Sequence, residues 1–220
     1  MTGNVAISAG FSVHDGVAWQ AMWSGLPALR PDPELHAQLL QRYAEPHRKY
    51  HSTEHLQACL KHFKRLRAQA EHPDEVLVAL WFHDAVYVLG SSDNELHSAQ
   101  WARSALLDAG ASADCAQRVY DLVMVTRHDV APDTRDQQVL LDIDLSILGQ
   151  SASVFDAYER QIAEEFAAVP LLQRRSRRRQ ILQRFLDRPR IYYTEQFHKL
   201  LETQARTNLQ RSIRQIDDDA

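Results

Sequence analysis

The chain predicts an all-α fold read as one helical domain. Apolar residues recur at three- and four-residue spacing through most of its 220 residues, the mark of helices that bury one face. Runs in which β-branched and polar residues alternate, which would signal strands, are absent. Only seven glycines interrupt the pattern, and short turn signals separate the apolar stripes.

Residues 1–12 read as a flexible tail of small residues and scattered apolar ones, and 13–220 as the domain. Helices are predicted near 33–43, 52–70, 74–87, 93–109, 113–128, 135–148, 151–168, 173–187 and 194–215. Pro31 and Pro33 open the first, and Ser52 caps the second. Pro73 and Asp74 start the third. Ser92 with Glu95 has the spacing of a capping box, as does Thr134 with Gln137. Gly149 stands where a helix-ending glycine is expected. Pro189 breaks the chain before Ile191-Tyr192-Tyr193, which reads as extended. The last helix carries Phe197, Leu200, Leu201, Leu209 and Ile213 as a core-packing stripe.

Composition narrows the function classes. A net charge of −4 supplies no overall pull toward nucleic acid or acidic lipid. No apolar run reaches the length of a membrane span, and the N-terminus has no basic, apolar signal sequence. A cytoplasmic protein is expected, with no membrane and no nucleic acid as partners. Cys59 and Cys115 have no partner motif and read as buried thiols of a reducing compartment. Arg174-Arg175-Ser176-Arg177-Arg178-Arg179 is the one strong basic cluster. It lies beside the apolar stripe Ile181, Leu182, Phe185 and Leu186, so most of it reads as a solvated helix face.

Chemistry concentrates where strong ligands sit in apolar sequence. At helical spacing Asp84 has Leu80, Trp81, Tyr87 and Val88 as neighbours, and His83 has Ala79, Leu80, Val86 and Tyr87. A carboxylate buried there needs a partner charge or loses its own. Asp144 is flanked in the same way by Leu140, Leu141, Ile147 and Leu148. Asp142 points about 200° around that helix, toward Gln138 and Ser146, and reads as a supporting or surface group. His55 begins the stripe Leu56, Cys59, Leu60, Phe63, Leu66. It is preferred to His51, which falls before the Ser52 cap. Eleven histidines, concentrated between His47 and His128, agree with a metal site in this stretch.

A histidine, a His-Asp pair 28 residues on, and a distant aspartate are the ordered motif of the HD superfamily of metal-dependent phosphohydrolases. The chain resembles that family at His55, His83-Asp84 and Asp144. It is more closely similar to a branch of small HD phosphohydrolases at Tyr43, His47 to His51, Trp81 to Tyr87, Asn94 to Ala99, Asp142 to Gly149 and Ile191-Tyr192. The resemblance spans roughly residues 40–210. It implies an HD-domain-like helical bundle and a divalent metal (Mn, Fe, Co, Ni, Zn or Mg) held by His55, His83, Asp84 and Asp144. Asp84 would both ligate and steer the attacking water. His128 at a helix end would serve catalysis or a second metal, or else only cap its helix. Glu95 is a catalytic candidate or simply the capping acid. His51, Arg48 and Arg127 are candidates for holding substrate phosphate.

The expected activity is hydrolysis of a phosphoester or phosphoanhydride in a nucleotide or other small phosphorylated molecule. Two alternatives stand beside it. One is a di-iron oxygenase, which would recruit His51 and His128 as further ligands. The other is a metal-binding sensor domain without turnover. The sequence is silent on oligomeric state.

Overall fold

A computed structural model describes residues 12–26 and 30–218, so most of the expected N-terminal tail lies outside the described residues. These form ten α-helices and no strand. They are α1 Gly16–Ser24, α2 Leu35–Tyr43, α3 Thr53–Leu66, α4 Pro73–Phe82, α5 Asn94–Asp108, α6 Ala113–Met124, α7 Arg135–Asp144, α8 Ala152–Glu165, α9 Leu171–Leu186 and α10 Glu195–Asp218. Three short 3₁₀ turns extend α3, α6 and α7. The all-α expectation holds, and among the described residues no helix is long and apolar enough to cross a membrane.

Helix α4 is the central post. Val76 through Phe82 are all buried, and the helix packs on α1, α3, α5, α6 and α7. That all-round burial explains its continuous apolar sequence. One contiguous core runs from Val13 to Ile213. Helix α10 closes one end, packing on α9 and on the turn Leu145–Gly149. Its expected stripe is buried at Phe197, Leu201, Leu209 and Ile213, whereas Leu200 is exposed.

Several expectations are corrected. Helix α1 was not anticipated; Asp15 caps it by accepting from the Val17 and Ala18 amides, and Trp19, Met22 and Trp23 are buried. Ser92 does not cap α5. The helix starts at Asn94, and the Ser92 hydroxyl turns to Asp93 instead. Thr134 does cap α7, accepting from the Gln137 amide at 3.2 Å. Gly149 has no left-handed backbone. A Cβ there would stand 2.5 Å from Leu201 Cβ and 2.8 Å from Leu201 O, so glycine is needed for close approach to α10. Cys59 is buried as expected, but Cys115 is only partly so.

The largest correction concerns α4, which ends at Phe82 and so leaves His83-Asp84 just past its terminus. In a continued helix Leu80 O would accept from Asp84 N, and Trp81 O from Ala85 N. Both carbonyls are taken by side chains. His83 Nδ1 lies 2.7 Å from Leu80 O, and the Tyr43 hydroxyl donates to Trp81 O at 3.2 Å. The chain therefore leaves the helix at the two chemically important residues.

Candidate metal centre

Four expected ligands converge from three helix ends. His55 comes from the first turn of α3, His83 and Asp84 from the end of α4, and Asp144 from the last residue of α7. His55 Nε2 lies 3.0 Å from His83 Nε2, 3.6 Å from Asp84 Oδ2 and 3.4 Å from Asp144 Oδ1. His83 Nε2 lies 3.1 Å from Asp84 Oδ2 and 3.7 Å from Asp144 Oδ1. Donors each about 2.1 Å from one ion in tetrahedral or octahedral array stand about 3.0–3.4 Å apart. Three of the five separations, 3.0, 3.1 and 3.4 Å, fall in that range, and the other two, 3.6 and 3.7 Å, lie just above it.

Tautomer chemistry supports the same reading. His83 Nδ1 donates to Leu80 O, so that on losing its second proton to a metal the ring would turn the lone pair of Nε2 toward His55 and the carboxylates. A third buried group, Cys59, lies beside them, and His55, Cys59 and His83 form a cluster that could hold a metal ion. Its Sγ is 3.9 Å from His55 Nδ1 and 3.7 Å from Nε2. Near-equal distances to both nitrogens fit a sulfur packed on the ring more than one sharing an ion with Nε2. Burial, with Asp144 and Asp84 nearby, holds the thiol well above its usual range.

The electrostatics call for positive charge. Burial alone would lower the His83 imidazole, but Asp84 and then Asp144 outweigh it and hold it at about 9. Burial alone would raise both carboxyls. His83 overrides this at Asp84, and His128 and His55 override it at Asp144, so both stay below the usual carboxylate range.

His128 joins the group, its Nε2 3.2 Å from Asp144 Oδ2. It follows a 3₁₀ turn in a left-handed conformation with φ 59°, uncommon for a residue with a side chain. Its Nδ1 is buried with no hydrogen-bond partner.

His51 faces the same cavity and is tied away from the four donors by Glu165. The ring Nδ1 lies 2.8 Å from Glu165 Oε2, which also accepts from the Tyr87 hydroxyl at 2.9 Å. Glu165 Oε1 accepts the amides of Lys49, Tyr50 and His51. Burial opposes charge on both partners. Their mutual attraction prevails, holding His51 above its usual value and Glu165 at about 2. Glu165 was not foreseen, and nothing in Ala163-Glu164-Glu165-Phe166 distinguishes it from its exposed neighbour.

Arg48 is corrected. It does not line the cavity; its buried guanidinium donates to the carbonyls of His51, Asp84 and Ala85 and to Glu45. It fixes backbone around the site and does not face substrate. Arg127 does line the cavity and pairs with Asp129 at 3.4 Å. Glu95 lines it too, freed from any capping role, and burial raises its carboxyl. Asp142 is fully buried and apart from the donors, accepting the amides of Tyr193 and Thr194 at 2.7 Å each.

The two carboxylates, Asp84 and Asp144, line a cavity of about 440 Å³, within the size range of small-molecule sites, while His55 and His83 stand behind them, buried. Asp84, Asp144, His128, His51 and Glu95 reach it from one side. Arg174, Arg177, Arg178 and Arg184 of α9 line it as well, with Arg188 just past the end of that helix. Of the basic cluster, Arg174, Arg177 and Arg178 line this cavity, although none of its five arginines is buried and Arg177 and Arg179 are exposed. The helical spacing of those arginines was a visible signal. Compared with protein-family models, curated proteins and solved structures, the chain matches none. Its function is therefore read from the chemistry of these side chains.

Proposed function

We propose that the protein is a metal-dependent phosphohydrolase acting on a small phosphorylated molecule, with His55, His83, Asp84 and Asp144 holding one divalent cation. The observation that carries this reading is the convergence of two imidazole nitrogens and two carboxylate oxygens at separations of 3.0–3.7 Å, with both carboxylates lining a cavity. The resemblance to HD phosphohydrolases supports the same four residues. A mixed N/O donor set suits Mn, Fe, Co, Ni or Zn, and Mg less well. Bound there, the cation would polarise a phosphoryl oxygen and acidify a water.

The chain's own groups then divide the work. Asp84 has its side chain 17% exposed, so its carboxylate reaches the cavity and can accept a hydrogen bond from the attacking water. His51, whose charged form Glu165 favours, can donate to a phosphoryl oxygen. Glu95, raised by burial, can carry a proton to the leaving oxygen. His128 holds the second oxygen of Asp144 and orients that carboxylate. The di-iron and sensor alternatives find no specific support in this geometry.

The test is a panel of phosphomonoesters, diesters and nucleotides assayed with each divalent metal. Metal-dependent release of phosphate that disappears in Asp84→Asn is expected. Turnover that survives both chelation and Asp84→Asn would overturn the proposal, as would oxygen consumption without hydrolysis.

A further inference from the structure

We propose that the inner face of α9 seats a second phosphate, so that the ligand of this cavity is a polyphosphate or bisphosphate and not a simple monoester. The proposal rests on the hydrolase reading for what happens to the ligand, though not for its binding.

Arg174, Arg177, Arg178, Ile181, Arg184, Phe185 and Arg188 follow helical spacing and all line the cavity. Their charges are unevenly answered. Arg178 pairs with Glu159 and lies over the Tyr158 ring. Arg174 spends its guanidinium on the carbonyls of Ala163 and Phe166, which satisfies donors and leaves its charge unbalanced. Arg188 donates to His128 O at 3.0 Å and lies over Phe185. Among the described residues, Arg177 and Arg184 make no ion pair. Arg179, which points away from the cavity, does pair, with Asp217. Arg178 on the cavity side and Arg179 on the outward side thus each find an acid, whereas Arg177 and Arg184 do not.

Like charges three and four residues apart on a helix repel. Arg177 and Arg184 are exposed, so water screens part of this repulsion; an anion shared among the four unbalanced guanidinium groups would relieve the rest. The chain as a whole is acidic, at −4, so the wall does not merely reflect composition. Its acids face elsewhere: Asp84 and Asp144 are already set against His55, His83 and His128. Guanidinium groups bind phosphate oxygens by paired charge-assisted bonds. Arg188 also joins the two halves of the cavity, since the backbone oxygen it holds belongs to the histidine that contacts Asp144. One phosphate at the carboxylate end and another at the arginine wall therefore fit one ligand. The cavity's size excludes a nucleic-acid duplex.

The test is calorimetric titration of the full chain with inorganic tripolyphosphate and, separately, orthophosphate. Tripolyphosphate should bind at least about tenfold tighter. Arg177→Gln/Arg184→Gln should remove most of that advantage, while Arg179→Gln, off the cavity, keeps it. Equal affinity for the two anions would overturn the proposal, as would a double variant that binds like the wild type. Arginine-dependent binding without any ester turnover would leave the wall standing and sink the hydrolase. Turnover with no preference for the longer anion would do the reverse.

Discussion

His55 Nε2 and His83 Nε2 face one another at 3.0 Å, while the other nitrogen of His83 is committed to Leu80 O at 2.7 Å. Two imidazoles so placed converge on a shared positive partner, and the two adjoining carboxylates demand the same. His83→Ala should therefore yield protein without bound divalent metal, and Cys59→Ala should retain it. Elemental analysis after dialysis against a weak chelator checks both. Metal lost from Cys59→Ala but kept by Asp84→Ala would replace the mixed N/O site with the His55, Cys59, His83 cluster.

Asp142 and Asp144, two residues apart, should fail differently. Asp144→Asn removes charge from the donor set and should weaken metal binding. Asp142→Asn should keep the metal and lose stability, because an amide can offer only one oxygen to the amides of Tyr193 and Thr194. The cost of one unsatisfied buried donor is about 1–3 kcal/mol, read from the urea midpoint. Metal loss in Asp142→Asn with none in Asp144→Asn would contradict the geometry.

The His51–Glu165 pair carries a pH signature. Glu165, depressed to about 2 in the fold, contributes stability above its unfolded value of about 4.3 that is lost as pH falls through about 2. His51 is raised, so its contribution is complete below about 6.5 and is lost as pH rises through its folded value. The pair should stabilise most between about pH 4.5 and 6.5. Glu165→Gln should lower the urea midpoint most in that window, in chelated protein, by about 3 kcal/mol for a broken buried pair. A deficit independent of pH would show that only the three backbone hydrogen bonds matter.

Gly149→Ala pushes a methyl into Leu201. Overpacking of this kind costs about 1–3 kcal/mol, which lowers Tm by about 2–4 °C per kcal/mol in a chain of this length. A thermal scan that matches the wild type would mean that α10 can shift away freely.

The fold and the four donors were legible because both follow local rules. Apolar periodicity marks nine of the ten helices. Asp84 and Asp144 stood out by their apolar neighbours at helical spacing, yet both keep some exposure toward the cavity, and Asp142 is the fully buried acid. What was not legible depends on side chains arriving from far along the chain. The end of α4 at Phe82 is set partly by Tyr43, 38 residues upstream. His51 is fixed by Glu165, 114 residues downstream. Asp142 looked peripheral because its partners, the amides of Tyr193 and Thr194, carry no side-chain signature. That α9 also borders a cavity was not legible for another reason: a basic helix surface looks the same in sequence whether it meets open water or a cavity.

Where α4 stops, its last carbonyls become attachment points. Tyr43 holds Trp81 O, and Arg48 holds Asp84 O and Ala85 O. A fragment from α3 to α7 would carry every donor residue and lack both of these holders, together with Glu165. Such a piece could not be transplanted as a minimal metal-binding module. The centre is owned by the whole chain, and it should come into being only at the last, cooperative step of folding.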